Sequence, residues 1–186
     1  MARLIYLVTA SLDGYMADAR GDIGWGAPDE EVHAAVNDLL RPVGTFLLGR
    51  RMYDTVGVWD TLELEGEPAV MHDFAGIWGA ADKIVYSRTL AETNAPRTTV
   101  EREFDVAAAR RLKAGARRGL SIGGSELAGQ ALAAGLVDEC LLFLVPVVLG
   151  GGTPAFAAGL DLRLELLEQW RFASGRVGLR YRPLTP

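Results

Sequence analysis

The segment Ser121–Gly129 contains the residue types that bind a phosphate group. An apolar run ends there in two adjacent glycines, Gly123 and Gly124, and a helical pattern begins directly after them. Glycine has no Cβ, so backbone N–H groups can approach a ligand closely, and a helix N-terminus adds unpaired donors and partial positive charge. The segment therefore predicts a nucleotide cofactor. The alternative is a tight strand-to-helix turn with Ser125 as its N-cap, and the segment has neither a G-x-G-x-x-G fingerprint nor a P-loop lysine.

Two other apolar strand patterns end in residues that suit a nucleotide. The residues that follow these patterns are Gly49-Arg50-Arg51 and Ser87-Arg88. Ligands of open α/β sheets bind at the carboxyl ends of the strands, and the guanidinium fork suits a phosphate monoester such as the 2′-phosphate of NADP. The alternatives are a solvated arginine pair beside Asp54 and an ordinary loop.

Two glycine-rich loops are candidates for contacting a substrate. The first, residues 11–26, leaves the first strand pattern through Asp13-Gly14 and contains Trp25, whose ring is suited to covering a planar molecule. The second, residues 146–156, contains three consecutive glycines, which cost backbone entropy and are explained by close approach to a ligand or a neighbouring subunit. The alternatives are a common turn pair in the first loop and a plain mobile loop in the second.

Composition limits the function classes. The chain of 186 residues has a net charge of −5, which argues against general nucleic-acid binding. The longest apolar run, Cys140–Leu149, is shorter than the roughly 20 residues of a membrane span, and no signal-peptide pattern precedes the first strand, so a cytoplasmic protein is expected. The two histidines, His33 and His72, lack metal-ligand spacing, so no metal site is expected.

Strand and helix patterns alternate along most of the chain. Apolar strand patterns cover 4–10, 45–48, 83–87, 98–101, 119–122 and 137–149, and helical patterns cover 28–41, 106–117, 126–134 and, more weakly, 71–77. Two alternating patterns at 160–167 and 171–182 indicate an antiparallel pair. The order predicts one domain with a three-layer α/β fold, in which a mostly parallel sheet has an antiparallel C-terminal edge.

Four motifs resemble, in their order and spacing, the dihydrofolate reductase-like superfamily, and most of all the reductase domain of bacterial riboflavin biosynthesis and its stand-alone relatives. The motifs are Ser-Leu-Asp-Gly at 11–14, Leu-Gly-Arg-Arg at 48–51, Ile-Gly-Gly-Ser at 122–125, and Val-Asp-Glu at 137–139 leading to Pro-Val-Val-Leu-Gly-Gly-Gly at 146–152. The resemblance covers about residues 3–182. It implies an eight-stranded mixed sheet flanked by helices, NADPH as the hydride donor, a homodimer, and a cis peptide between Gly123 and Gly124.

The resemblance also implies roles for individual residues. The residues expected to bind the cofactor are Gly49, Arg50 and Arg51 at the adenosine-side phosphates, Ser87 and Arg88 at the 2′-phosphate or adenine, and Gly123, Gly124, Ser125, Glu126 and Leu127 at the pyrophosphate. The residues expected to line the substrate pocket are Ser11, Trp25, His33, Pro146, Gly151 and Phe156.

Hydride transfer also needs a proton, and the candidate donors are Asp13 and Asp29, or a water that either one orients. The chain departs from dihydrofolate reductases at Met52, where those enzymes usually have threonine, and in the uncertain register of the acid that follows Trp25. The implied function is an NADPH-dependent reductase acting on a small heterocycle, carbonyl or imine, such as 5-amino-6-(5-phosphoribosylamino)uracil. The alternatives are a nucleotide- or flavin-binding protein without turnover and a true dihydrofolate reductase.

Overall fold

The computed structural model describes residues 2–184, in which strands and helices alternate as the sequence indicates. The strands are β1 (Leu4–Ser11), β2 (Tyr15–Ala17), β3 (Val43–Gly49), β4 (Asp82–Tyr86), β5 (Thr98–Glu101), β6 (Gly119–Gly123), β7 (Glu139–Val145), β8 (Thr153–Pro154), β9 (Arg163–Arg171) and β10 (Val177–Leu184). The α-helices are α1 (Glu30–Leu40), α2 (Arg50–Val56), α3 (Ala69–Ala80), α4 (Val106–Gly115) and α5 (Ser125–Ala133).

Eight of the strands form one sheet in the order β5-β4-β3-β6-β1-β7-β10-β9. The six strands from β5 to β7 are parallel, whereas β10 runs antiparallel to both of its neighbours. The two remaining strands, β2 and β8, pair with each other. The sheet confirms the predicted fold. Because parallel strands end at the same edge, the segments that follow β1, β3, β4, β5, β6 and β7 share one carboxyl edge.

The sheet is covered on both faces because the residues of its central strand alternate between two cores. Leu4, Tyr6, Val8 and Ala10 of β1 pack with apolar residues of α4 and α5 on one face. Ile5 packs with apolar residues of α1 and α3 on the other face. Buried parallel strands of this kind are apolar on both sides, which is why β1 reads as a continuous apolar run. No helix within residues 2–184 has the length and apolar character needed to cross a membrane.

Three boundaries differ from the expected ones. β7 ends at Val145 rather than at 149, because Pro146 has no N–H with which to continue the ladder. The C-terminal hairpin turns later than expected, between β9 and β10. The region 59–79 was expected to be largely irregular but contains α3, a helix of 12 residues whose N-cap has no side-chain hydrogen bond. Tertiary burial of Phe74 and Trp78 holds this helix where local signals are weak.

A buried cation joins α3 to the sheet. The side chain of Lys83 is 0% exposed, and its Nζ lies 3.6 Å from Asp60 Oδ1 and 3.3 Å from the carbonyl oxygen of Trp78. The same ammonium lies 4.9 Å from the centre of the Trp78 ring, and the indole N–H of Trp78 donates to Asp60 at 2.8 Å. These contacts fix the segment between α2 and α3 against β4.

We predict that Lys83→Met lowers the free energy of unfolding by about 3–5 kcal/mol, because it leaves the Asp60 carboxylate buried without its charged partner. Urea unfolding followed by circular dichroism measures the change. The matched control is Arg182→Met, which removes one member of the exposed pair Arg182–Glu165 and should cost no more than about 1 kcal/mol. Equal losses in the two variants would contradict the assignment of a structural role to Lys83.

Candidate functional site

Two helix N-termini lie side by side at the carboxyl edge of the sheet. Leu48 of β3 is in register with Gly123 of β6, and each strand leads directly into a helix, α2 or α5. The N-cap of neither helix makes a side-chain hydrogen bond. By contrast, α1 and α4 are capped by the carboxylates of Asp29 and Asp105. The unfilled N-termini of α2 and α5 therefore present backbone donors and partial positive charge at the same place.

Glycines keep the space between these two N-termini open. Gly124 has φ +97°, and a Cβ added to it would lie 3.8 Å from both the backbone nitrogen and the Cα of Gly49. A Cβ on Gly123 would lie 2.9 Å from Met52 Cγ, so a side chain there would force the Met52 side chain to shift. Within residues 2–184 every peptide bond is trans, so the cis peptide expected between Gly123 and Gly124 is not present. The positive φ of Gly124 makes the turn instead.

The first turn of α5 presents three of the predicted cofactor residues. Ser125 and Leu127 have buried side chains, whereas Glu126 is exposed. Their backbone N–H groups belong to the first turn of the helix, which lacks intrahelical partners. The first intrahelical bond that follows is from the Ala128 N–H to the Gly124 carbonyl oxygen, at 2.9 Å.

The predicted arginines surround the same edge. Arg50 is partly exposed and pairs with Asp54 along α2, with its Nε 2.8 Å from Oδ1, whereas Arg51 is exposed. Arg88 lies after β4 and pairs with Glu103 at 3.2 Å. The sequence analysis did not single out the carboxyl end of β5, where Arg102 donates to the carbonyl oxygen of Arg88 at 3.2 Å. A strand end followed by arginine is the signal that would have found it.

The loop after β4 is closed by Ser87. Its side chain is buried, and its Oγ accepts hydrogen bonds from the backbone N–H groups of Thr89 at 3.3 Å and Leu90 at 3.0 Å. Arg102 Nη1 also donates to the carbonyl oxygen of Leu90 at 3.0 Å. The structure therefore places Ser87 as the residue that shapes this loop, with Arg88 exposed on it.

Asp13 binds the chain's own backbone at the ends of β1 and β7. Its carboxylate accepts hydrogen bonds from Ser11 Oγ at 2.7 Å and from the backbone N–H groups of Leu149 at 3.1 Å and Gly150 at 2.7 Å. These donors, led by the Ser11 hydroxyl, lower the pKa of Asp13 to about 2. At neutral pH the side chain is a carboxylate that joins two loops, which does not suit it to donating a proton.

Asp29 caps α1. Its Oδ1 accepts from the backbone N–H of Val32 at 2.9 Å. This bond, followed by one from the Ser174 side chain, holds the pKa of Asp29 below its usual value. Asp29 is therefore also ionised at neutral pH. Two roles were predicted for it, and an ionised carboxylate is better suited to orienting a water molecule than to donating a proton.

His33 lies in an aromatic cluster on α1. Its ring is 6.0 Å from the Trp59 ring and 5.9 Å from that of Phe74, and the rings of Trp59 and Phe74 are 4.7 Å apart. Burial lowers the pKa of His33, so its imidazole is neutral at neutral pH. Trp25 is partly exposed in the loop before α1, with its indole N–H donating to the carbonyl oxygen of Asp22 at 3.0 Å. No local signal singled out Trp59.

The loop after β7 is explained by packing within the chain. A Cβ on Gly152, which has φ +136°, would collide with the carbonyl oxygen of Ala17 where β2 and β8 pair. Phe156 packs edge-on against Tyr6 in the core, with 5.9 Å between the ring centres. Of the predicted substrate contacts in this loop, Phe156 is half-buried and packs against the core, whereas Pro146 is exposed and Gly151 partly exposed at the carboxyl edge.

The loop that contains Trp25 is held by a residue that the sequence analysis did not predict. Arg176 is buried in the turn between β9 and β10, and it donates to the carbonyl oxygens of Gly26, at 3.2 Å, and Ala27. In the same turn, the Ala173 N–H donates to Glu31 Oε2 at 2.9 Å. The hairpin thereby fixes the approach to α1. No local pattern indicates a contact across so much of the chain.

Two shallow depressions, of about 380 and 390 Å³, lie at the opposite edge of the sheet. They share Thr45, Asp82, Arg97 and Leu112 as lining residues. None of the predicted site residues lines either depression. The carboxyl edge, where the helix N-termini and the glycine turns meet, is therefore the candidate site.

Comparison with known proteins identifies the family. Residues 2–177 match the model of the RibD C-terminal domain. The chain belongs to the RibD C-terminal domain family. The uncharacterized protein YyaP of Bacillus subtilis is 26% identical over 181 residues, which cover 96% of this chain and 94% of YyaP.

Solved structures share the fold. A putative riboflavin biosynthesis protein from Shewanella has a TM-score of 0.78 at 23% identity, with full coverage of both chains. A bifunctional diaminohydroxyphosphoribosylaminopyrimidine deaminase and 5-amino-6-(5-phosphoribosylamino)uracil reductase from Thermotoga maritima has a TM-score of 0.68 at 17% identity, over 98% of this chain and 57% of that one. Dihydrofolate reductase from Enterococcus faecalis, complexed with NADP(H), has a TM-score of 0.63 at 12% identity, over 97% and 96%.

We predict that the stabilising effect of Asp13 disappears in acid. Its pKa is lower in the folded chain than in the unfolded chain, so its contribution is complete above about pH 4, the usual aspartate value, and is lost as pH falls toward the folded value of about 2. Urea unfolding of the wild type and Asp13→Asn between pH 2 and 7 measures this. The wild type should be more stable above pH 4 and equal to the variant near pH 2; a constant difference would contradict the prediction.

We predict that Arg176→Met loosens the loop that contains Trp25, because it removes hydrogen bonds from a buried guanidinium to two carbonyl groups. The stability loss should be about 1.5–3 kcal/mol. Tryptic cleavage after Arg20, in the same exposed loop, should become at least several-fold faster under native conditions. Arg171→Met is the control for loss of a nearby exposed arginine, and cleavage at an unchanged rate in Arg176→Met would refute the positioning role.

Proposed function

We propose that the protein is an NADPH-dependent reductase of a small heterocyclic, carbonyl or imine compound. The observation that carries the proposal is the pair of unfilled helix N-termini after β3 and β6, which lie side by side at Gly49 and Gly124. Membership of the RibD C-terminal domain family supports it. The structural relative from Thermotoga is named as a deaminase and reductase, and the dihydrofolate reductase from Enterococcus is complexed with NADP(H).

The residues present fit a dinucleotide. Gly49 and Gly124 lie close together without side chains between them, and the first turn of α5, which begins directly after Gly124, supplies backbone donors there. Pyrophosphate is held well by such a helix N-terminus. Arg50 and Arg51 begin α2 beside these glycines and provide guanidinium groups for a phosphate monoester. NADPH, when bound, supplies a hydride from C4 of its nicotinamide ring to the carbon of a C=N or C=O bond.

The loops that follow β1 and β7, which are next to β6 in the sheet order, would hold the substrate. The loop that contains Trp25 lies on this side, fixed by Arg176, and a partly exposed indole gives a planar ring a surface to pack on. The proton that accompanies the hydride goes to the nitrogen or oxygen of the reduced bond. Because Asp13 and Asp29 are ionised at neutral pH, we propose that this proton comes from water, with Asp29 as the group that orients it.

A second candidate function is nucleotide binding without reduction. The ionised state of both Asp13 and Asp29 favours it, because neither carboxyl group holds a proton to transfer. Cofactor affinity together with no oxidation of NADPH by any heterocyclic or carbonyl acceptor would support this alternative. The homodimer implied by the resemblance stays a prediction.

We predict that the protein binds NADPH at least tenfold more tightly than NADH, and that the double variant Arg50→Ala, Arg51→Ala removes most of this preference. The extra phosphate of NADPH forms charge-assisted hydrogen bonds worth about 1.5–3 kcal/mol, so the variant should weaken NADPH by roughly tenfold or more and leave NADH nearly unchanged. Isothermal titration calorimetry measures the four affinities.

Arg171→Ala is the control, because it removes an exposed arginine from the edge strand without touching α2. An unchanged preference in the double variant would show that the arginines do not read the 2′-phosphate. If the wild type bound neither nucleotide, the helix N-termini would be structural and the reductase proposal would be wrong.

A further inference from the structure

We propose that the substrate is a planar unsaturated ring that carries no phosphate group. The inference rests on the proposed function and concerns the half of the carboxyl edge beyond β6. We define this substrate half as residues 11–31, which follow β1 and lead into α1, and residues 146–158, which follow β7. The opposite, cofactor half comprises the segments that follow β3, β4, β5 and β6.

Positive charge is divided unequally between the two halves. In the cofactor half, four arginines lie within the first few residues after a strand end: Arg50, Arg51, Arg88 and Arg102. The substrate half contains one, Arg20, whose Nε lies 3.4 Å from Asp18. A phosphorylated ligand is normally held by guanidinium or ammonium groups or by free backbone donors. In the substrate half, the only group of the first kind that its own sequence supplies is Arg20, which is paired with Asp18.

Three backbone donors in and beside the substrate half are also occupied by the chain's own carboxylates. The loop after β7 could form an anion-binding nest, but its Leu149 and Gly150 N–H groups already bind the Asp13 carboxylate. The N-terminus of α1 could bind an anion, but Asp29 accepts from the Val32 N–H there. The chain's own carboxylates thus fill the two positions at which a phosphate would sit.

The remaining charges of the substrate half repel a phosphate. Its acidic residues are Asp13, Asp18, Asp22, Asp29, Glu30 and Glu31. Hydrogen bonds lower the pKa values of Asp13, Asp18 and Asp29. The largest contribution comes from the Ser11 hydroxyl at Asp13 and from a backbone N–H at the other two, so these carboxyl groups are ionised at neutral pH. A phosphate dianion bound among them would meet like charges that the single Arg20 does not balance.

The two nearest other cations do not offset this. Arg176 directs its guanidinium to the carbonyl oxygens of Gly26 and Ala27 and is buried. Arg171 lies at the end of β9, which is two strands beyond β7 in the sheet. Arg171 is exposed and lies at the border of this half, because the Ala173 N–H, two residues along the chain, donates to Glu31 Oε2. One arginine at this border does not balance the six carboxylates.

The exposed surface of the substrate half also includes apolar side chains. Leu12 is 64% exposed and Val148 is 69% exposed, and the two lie on neighbouring segments joined by the hydrogen bond from the Leu12 N–H to the Val147 carbonyl oxygen at 2.8 Å. The partly exposed Trp25 lies in the same half. Aliphatic and aromatic side chains of this kind bind an uncharged or cationic ring through its faces.

The experiment compares matched pairs of ligands that differ only in a phosphate. The first pair is 5-amino-6-(5-phosphoribosylamino)uracil and the same compound without its phosphate; the second is riboflavin 5′-phosphate and riboflavin. Calorimetry measures their binding to the protein alone and to the protein saturated with NADP⁺, at 50 and 300 mM salt. In each pair the compound without phosphate should bind about tenfold more tightly at low salt, and the difference should shrink at high salt.

The double variant Asp29→Asn, Glu30→Gln tests the origin of the selectivity. Asparagine caps a helix as well as aspartate does, so the fold is retained while two negative charges are removed. The variant should bind the phosphorylated compounds about threefold more tightly at low salt and the others unchanged. Glu92→Gln, which removes an exposed carboxylate from the loop between β4 and β5, is the control and should change neither.

Several results would overturn the proposal. Tighter binding of the phosphorylated member of either pair would show that this half holds a phosphate, and binding of none of the four rings to the NADP⁺-saturated protein would show that it does not hold such rings. Failure of NADP⁺ itself to bind would instead refute the proposed function. The two failures can be distinguished because the ring affinities are also measured without the nucleotide.

Discussion

The parallel pairing of β3 with β6 is the constraint on which the candidate site depends. The pairing brings Leu48 level with Gly123, so the two helices that follow begin side by side. A Cβ on Gly124 would enter the space next to Gly49, and a Cβ on Gly123 would displace Met52. The site is therefore a consequence of sheet register and of missing side chains, and its electrostatic character comes from backbone dipoles as much as from arginine.

The two sides of this edge differ in whether a side chain accepts from the backbone N–H groups there. At β3 and β6 the helix N-termini are left without side-chain caps, which makes them receptive to an external anion. At β1 and β7 the carboxylates of Asp13 and Asp29 fill the equivalent donors. The first side thus attracts an anion, whereas on the second side the chain's own carboxylates occupy the donors that an anion would use. In the proposed function, this division would orient an extended dinucleotide and leave aromatic and aliphatic side chains beside its nicotinamide end.

Local patterns predicted the parts of the molecule that depend on neighbouring residues. The strand-to-helix turn at Gly124 and the arginines of α2 each follow from residue types a few positions apart, and the fold class follows from the alternation of strand and helix patterns. The contacts that join distant segments were not predictable. Asp13 was expected to serve chemistry but binds the loop at Gly150, and Gly152 is explained by the carbonyl oxygen of Ala17 rather than by a ligand. Periodicity carries no information on such pairings.

The bond from Arg176 to Ala27 also sets an order of assembly. Ala27 and Arg176 are 149 positions apart, whereas the segments of the cofactor half all fall between β3 and α5. A chain emerging from the ribosome forms its earlier segments first, and contacts over long separations form late. The nucleotide side can therefore be complete while the loop that contains Trp25 still lacks its anchor. The substrate half therefore takes its final shape last, when the hairpin of β9 and β10 forms. If the proposed function holds, changes in this hairpin would alter substrate selectivity with the least effect on the cofactor half.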